Sequence, residues 1–218
     1  MKLISLNVGL PRPLTWQGET FETGIFKDPI EGRVMLRTTN LDGDRQADLT
    51  VHGGPNKAVY AYPSEHYEAW NAELTTPVHD WGAFGENFTI AGLLETDVSV
   101  GDRYRLGSAV VKVTTPRLPC FKLAAKFQGN EIIARSLRSG RSGFYFSVIE
   151  EGEVGAGDAF DLLEQEDPTL TIAQVNAIYS AKHPDRETLR RSLHVKTLPE
   201  SWRYRFRARL AEIDGEQH

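Results

Sequence analysis

Two regimes of hydrophobic patterning divide the chain. Up to residue 166, short β-type runs predominate: Lys2–Val8, Arg33–Arg37, Asn87–Ile90, Arg103–Leu106, Val110–Thr114, Phe144–Ile149 and Ala159–Leu163 read as strands. Turn signals such as Asp42-Gly43-Asp44, Gly53-Gly54-Pro55 and Gly155-Ala156-Gly157-Asp158 separate them. Many short strands with glycine-rich corners predict a mainly β fold, a barrel or a strongly bent sheet. Two helices interrupt it. One starts near Pro63 and carries Tyr67, Trp70 and Leu74 at i, i+3 and i+7; the other starts at Pro119, with Leu123 and Phe127 on one face.

After Asp167-Pro168 the period changes to that of helices. Thr171-Ile172-Ala173-Gln174 has the form of a capping box, with Ile172, Val175 and Tyr179 on one face. Asp185 is placed to cap a helix carrying Leu189 and Leu193, and a third helix carries Trp202, Phe206, Leu210 and Ile213. The expected organisation is a β-rich domain over residues 1–166 and a small three-helix unit over 169–218.

With 40% hydrophobic and 25% charged residues in 218, the chain has the composition of an ordinary globular protein. A net charge of −5 argues against broad binding to nucleic acid or anionic lipid, which needs dense positive charge. The charge is unevenly spread: residues 169–218 hold nine Lys and Arg against six Asp and Glu. These basic residues read more readily as solvated arginines on packed helices than as a docking face for an acidic protein. No apolar run is long enough for a signal peptide or a membrane span, so a cytoplasmic location is expected and the Asn87-Phe88-Thr89 sequon carries no weight.

The single cysteine, Cys120, excludes an internal disulfide, multi-cysteine zinc sites and iron–sulfur clusters. It lies in Pro116-Arg117-Leu118-Pro119-Cys120-Phe121-Lys122-Leu123, at the predicted start of a helix, where the dipole and the neighbouring Arg117 and Lys122 favour thiolate. A buried, inert thiol on the Leu123–Phe127 face is the competing reading. A second cluster runs from Gly43 to Lys57. Its Gly53-Gly54 pair allows close backbone approach to a ligand, while Arg45 and Lys57 suit a phosphate; a plain hairpin corner is the alternative. Gly82–Leu93 and Ser139–Phe144 are further glycine-rich loops entering strands. Neither a Walker loop, a dinucleotide-type glycine motif nor a G-x-S-x-G elbow is present.

These four clusters, in this order and followed by a three-helix tail, resemble the MOSC family, named for the C-terminal domain of molybdenum-cofactor sulfurase, and its bacterial YiiM-like branch in particular. The resemblance implies a barrel-like β-domain that binds the molybdenum cofactor, with Cys120 as the metal ligand. It also implies reduction of N-hydroxylated compounds, such as the purine 6-hydroxylaminopurine, with a flavoprotein as electron donor. Cofactor contacts would come from Arg45, His52, Gly53, Lys57, Asn87, Arg117, Arg141 and Ser142, and His52 could pass a proton to the leaving hydroxyl. Pyridoxal phosphate binding comes only as a family-level label, and no lysine context for it is visible. Two other classes stand beside the reductase: a cofactor carrier or sulfur-transfer module acting through Cys120, and a cysteine hydrolase using Cys120 and His52, which lacks an orienting group.

Overall fold

The computed structural model describes residues 1–47, 53–166 and 169–215. Its strands are β1 (Lys2–Val8), β2 (Arg12–Trp16), β3 (Glu19–Thr23), β4 (Asp28–Pro29), β5 (Arg33–Leu36), β6 (Val59–Pro63), β7 (Phe88–Ala91), β8 (Arg103–Leu106), β9 (Ala109–Pro116), β10 (Phe144–Glu150), β11 (Gly152–Gly155) and β12 (Phe160–Glu164). Its helices are α1 (Glu65–Glu73), α2 (Phe121–Lys126), α3 (Glu131–Ser139), α4 (Ile172–Ser180), α5 (Arg186–Ser192) and α6 (Glu200–Gly215).

Eight strands form one mixed sheet in the order β12-β8-β9-β10-β6-β7-β1-β4, in which β6 and β7 run parallel. The sheet is bent so far that β1 meets the residues leading into β12. Lys2 bridges Ala159, and Leu3 exchanges backbone hydrogen bonds with Asp158 and Gly157 at 2.9 and 2.8 Å. The expected β-rich, bent architecture is present, but among the described residues β1 meets the entry to β12 through an isolated bridge where a closed barrel would have a ladder. Two smaller pairs flank the sheet, β5 with β11 and the hairpin β2–β3. The hairpin turns through Gln17 and Gly18, both with positive φ (52° and 84°), which matches the twist of its strands.

The helical tail follows its sequence signals closely. Thr171 Oγ accepts from Gln174 N at 3.1 Å while Gln174 Oε1 accepts from Thr171 N at 3.0 Å, completing the capping box of α4. Asp185 caps α5 by accepting from Thr188 N at 2.7 Å. The buried face of α4 is Ile172, Val175 and Ile178, with Tyr179 only half-buried at its margin. This face is not insulated from the sheet. Leu170, Ile172, Val175, Ile178, Leu189, Val195, Leu198 and Phe206 belong to the same buried cluster as Val98, Val100, Val111 and Val113. A second, aromatic cluster gathers Tyr60, Tyr62, Tyr67, Trp70, Phe84, Leu123 and Ile132 between β6, α1, α2 and α3. No helix among the described residues is long and apolar enough to cross a membrane.

Candidate cofactor site

A cleft forms where the β2–β3 hairpin, the ends of β6, β9 and β10, and the loop before β7 converge. Thr23, Lys27, Asp44, Gly53, Lys57, Tyr60, Asn87, Arg117, Cys120, Lys122 and Tyr145 are among its walls. Residues more than 120 positions apart therefore meet at one point, and five of the predicted contacts (Gly53, Lys57, Asn87, Arg117 and Cys120) are among them. Arg45 is exposed and does not line the cleft. His52 lies outside the described residues. The space enclosed is about 90 Å³, opening to about 630 Å³ with the mouth included. A pterin-sized group would therefore fill the mouth rather than be swallowed.

Helix α2 begins at Phe121, two residues later than the expected start at Pro119, so Cys120 stands just before it. The cysteine is the N-cap of α2, with extended backbone (φ −128°, ψ 171°), and its carbonyl accepts from Leu123 N at 2.9 Å. Leu123, Ala124 and Ala125 fill the core behind it, whereas Cys120 is half-buried at the cleft. Arg117 is the strongest electrostatic feature. It is 9% exposed, and no carboxylate among the described residues forms an ion pair with it. Burial alone would lower its pKa. Tyr60, Tyr145 and the Cys120 sulfur outweigh that, so the group is held firmly cationic. Its guanidinium lies 5.3 Å from the Tyr60 ring centre. Burial raises the pKa values of Tyr60 and Tyr145, so both phenols keep their protons. Lys57 Nζ lies 5.9 Å from the Tyr145 ring centre, on the same wall.

Behind this wall a buried polar network fixes the loops. Asp44 accepts from Lys27 Nζ, from Gly9 N at 2.9 Å and from Asn87 Nδ2 at 3.0 Å. Asn87 also donates to Asn7 O at 3.2 Å and accepts from Tyr60 N at 3.3 Å, so its amide is engaged in joining β1, β6 and the Asp44 loop. Asp44 and Lys27 are 4% and 8% exposed. Breaking such a pair costs about 3–5 kcal/mol because a buried charge is stranded. Asp44→Ala is expected to lower the melting temperature by about 6–20 °C, at roughly 2–4 °C per kcal/mol for a chain of this size. The double variant Lys27→Met/Asp44→Leu should recover most of that loss in the same thermal melts.

The loop from Gly82 to Asn87 is organised by Glu86, fully buried and accepting from Tyr67 Oη, Gly82 N (2.9 Å), Thr89 Oγ1 (3.0 Å) and Phe84 N (3.0 Å). Lys126 closes the loop from the other side by donating to Gly82 O (3.0 Å) and Ile25 O (3.3 Å). Burial is the main cause that lowers the Lys126 pKa to about 8. The unfolded chain takes up this proton near pH 10.5 and the folded one only near 8. Between those values the unfolded state binds more protons, so folding stability should rise with pH. Urea titrations at pH 7.5 and 9.5 on wild type and Lys126→Met check this: the wild-type gain across the interval should exceed that of the variant.

Arg141 and Ser142, expected at the cofactor, do not line the Cys120 cleft; they border a small void on the far side of Arg117. Arg141 pairs with Glu73 at 2.6 Å and stacks over Trp70, 4.8 Å from the ring centre. Ser142 Oγ donates to Gly143 O at 2.7 Å and accepts from Asn176 Nδ2 of α4 at 2.8 Å. Both close the corner that leads into β10. Among the described residues no group of three or more His, Cys, Asp and Glu is placed to hold a metal ion by itself. The site's chemistry is one thiol, cationic side chains and protonated phenols around a cleft.

Comparison with known proteins agrees with this architecture. The MOSC domain model matches residues 48–161, and the model of the YiiM-like 3-alpha helix domain matches residues 170–212. The chain belongs to the MOSC-domain family, in the YiiM-like group that carries the three-helix domain. It is 44% identical to YflK of Bacillus subtilis (strain 168) over 204 residues, covering 94% of this chain and 92% of that protein. The crystal structure of YiiM from Geobacillus stearothermophilus superposes with a TM-score of 0.79 at 35% identity, covering 96% of this chain and 98% of that one. A Gibberella moniliformis (strain M3125 / FGSC 7600) protein named reductase is 34% identical over 169 residues, which are 76% of this chain and 30% of that protein.

Proposed function

We propose that the cleft binds the molybdenum cofactor and that the protein reduces N-hydroxylated compounds, N-hydroxylated purine bases among them. The observation that carries this reading is Arg117, a buried guanidinium without a carboxylate partner among the described residues, three positions from the single cysteine at the same cleft. A buried cation of this kind calls for an anion, and a soft sulfur beside it suits a soft-binding metal. Family membership and the fungal homologue named reductase support the same direction.

Bound there, the cofactor would supply the two-electron chemistry, with Cys120 as its protein ligand. The chain's own residues do the rest. Arg117 and Lys57 hold the phosphate, Arg as a planar fork and Lys as a point charge. Gly53, with φ 86°, lets the backbone come close; a Cβ there would press on the Gln46 side chain at 3.1–3.3 Å. His52 is the proposed proton donor to the departing hydroxyl, and a flavoprotein of the cytoplasm the proposed electron source.

Elemental analysis of freshly purified protein, followed by turnover of an N-hydroxylated base with a chemical reductant, tests the reading. Stoichiometric molybdenum with turnover supports it. Molybdenum without turnover would make the protein a cofactor carrier, and its absence from both protein and activity would overturn the assignment. In the same preparations Lys57→Ala should weaken cofactor retention roughly ten- to a hundred-fold, the value of one charge-assisted hydrogen bond, with the fold intact.

A further inference from the structure

A cavity roomier than the cleft at Cys120 lies elsewhere in the molecule. It lies where α3, α4 and α6 meet, has a volume of about 550 Å³, and is walled by Leu137, Arg138, Tyr179, Ser180, Arg205, Phe206 and Arg209. That volume is within the range of small-molecule sites. Its floor is apolar and aromatic, with Phe206 fully buried. Its cationic groups are three arginines, and none of the three forms an ion pair with a carboxylate among the described residues. Elsewhere on α5 and α6 most arginines are paired among the described residues: Arg186 and Arg190 with Asp214, and Arg203 and Arg207 with Glu200, with Arg191 the exception.

Two of the three are held in place before any ligand arrives. Arg209 donates to the carbonyls of Ala181 and Lys182 at the C-terminal end of α4, which fixes its guanidinium, while its Nε is buried without a hydrogen-bond partner. Arg205 rests over the Tyr179 ring at 5.3 Å. A guanidinium ordered in this way loses little entropy on binding, and an arginine fork matches phosphate geometry. Leu137, Tyr179 and Ser180 also wall a smaller void that reaches Arg117, so the cavity backs onto the Cys120 site without sharing its lining.

We infer that this interhelical cleft is a second ligand site, for a nucleotide-sized aromatic phosphate whose ring lies against the half-buried Tyr179 and Leu137 and whose phosphate is held by Arg138, Arg205 and Arg209. The ring supplies the apolar burial, and more than one negative charge answers the three guanidinium groups. The site is separate from the cofactor cleft and does not depend on the activity proposed for that cleft.

Calorimetric titration of the full chain with three probes tests this: adenosine monophosphate, adenosine, and inorganic phosphate. Adenosine monophosphate should bind at least ten-fold more tightly than either fragment, and the variant Arg205→Gln/Arg209→Gln should weaken it ten-fold or more. Arg138→Gln, at the exposed rim, should weaken it less and provides a variant with little bearing on the fold. Lys57→Ala, in the other cleft, should leave this binding unchanged. Three results would overturn the inference: equal affinity for nucleotide and phosphate, loss of binding in Lys57→Ala but not in the arginine variants, or binding of an oligoglutamate peptide in place of the nucleotide.

Discussion

Cys120→Ser is expected to bring turnover of N-hydroxylated substrates to background while the protein melts within about 2 °C of wild type. The stability half of this expectation comes from where the thiol stands. Leu123, Ala124 and Ala125 carry the core packing of α2, and Cys120 is half-buried at the cleft as the helix's N-cap residue. Serine is close in size and a favoured N-cap, so the substitution belongs with those worth about 0.5 kcal/mol or less, or about 2 °C in a chain this long. The activity half comes from the element exchanged. A hydroxyl is a harder and poorer ligand than a thiolate for a soft-binding metal, and it gives Arg117 no comparable anionic partner. An inert structural thiol predicts the reverse pattern, with a lower melting temperature and activity per folded molecule near wild type. Both quantities measured on one preparation separate the two outcomes. Molybdenum content is the weaker readout, because the proposed phosphate contacts at Lys57 and Arg117 would retain the cofactor after the proposed sulfur ligand is gone.

The parts of this molecule that were legible in the sequence are those with a local cause. The capping box at Thr171, the cap at Asp185 and the strands Lys2–Val8 and Arg103–Leu106 appear where a turn residue or a short alternation marks them. The strand β6 left no such trace. It is buried along its whole length between β10 and β7, so Val59–Pro63 has no polar face to alternate with, and Tyr60 was not recognised as a cleft residue. The β2–β3 hairpin is faint in the sequence because its turn, Gln17-Gly18, is a weaker signal than Asn-Gly. Helix α3 was hidden behind the Ser139–Phe144 loop, though Ile132 and Ser136 share its buried face. At the site, Cys120, Arg117 and Lys57 were legible because a thiol and cations near glycine turns stand out by type. The Lys27–Asp44 pair was not, since only the fold brings residues 27, 44 and 87 together. Arg141 and Ser142, an arginine and a serine in a glycine loop, sit outside the Cys120 cleft, where Glu73, Trp70 and Asn176 engage them through contacts that only the fold creates.

Removing residues 169–218 is expected to leave no folded MOSC domain, although the family models divide the chain near that boundary. The tail pairs with the sheet region at its entry: Val100 N donates to Leu170 O at 2.9 Å, and Ile172 N donates to Val98 O at 3.0 Å. From there eight tail side chains, each 2% exposed or less, complete the same buried cluster that holds Val98, Val100, Val111 and Val113. Burying one such side chain contributes about 1.5–3 kcal/mol. The loss of several, together with the sheet surface they cover, therefore exceeds the roughly 5–15 kcal/mol that holds a typical domain together. The tail also reaches the site's scaffold, because Asn176 donates to Ser142 Oγ (2.8 Å) and to Gly140 O (3.3 Å) in the corner entering β10. A chain ending at residue 168 should be insoluble or lack a cooperative melt. Asn176→Ala, which keeps the core, should stay folded and lose only this tether. A truncated chain that melts cooperatively would show the helical unit to be separable and the shared cluster to be worth far less than its burial implies.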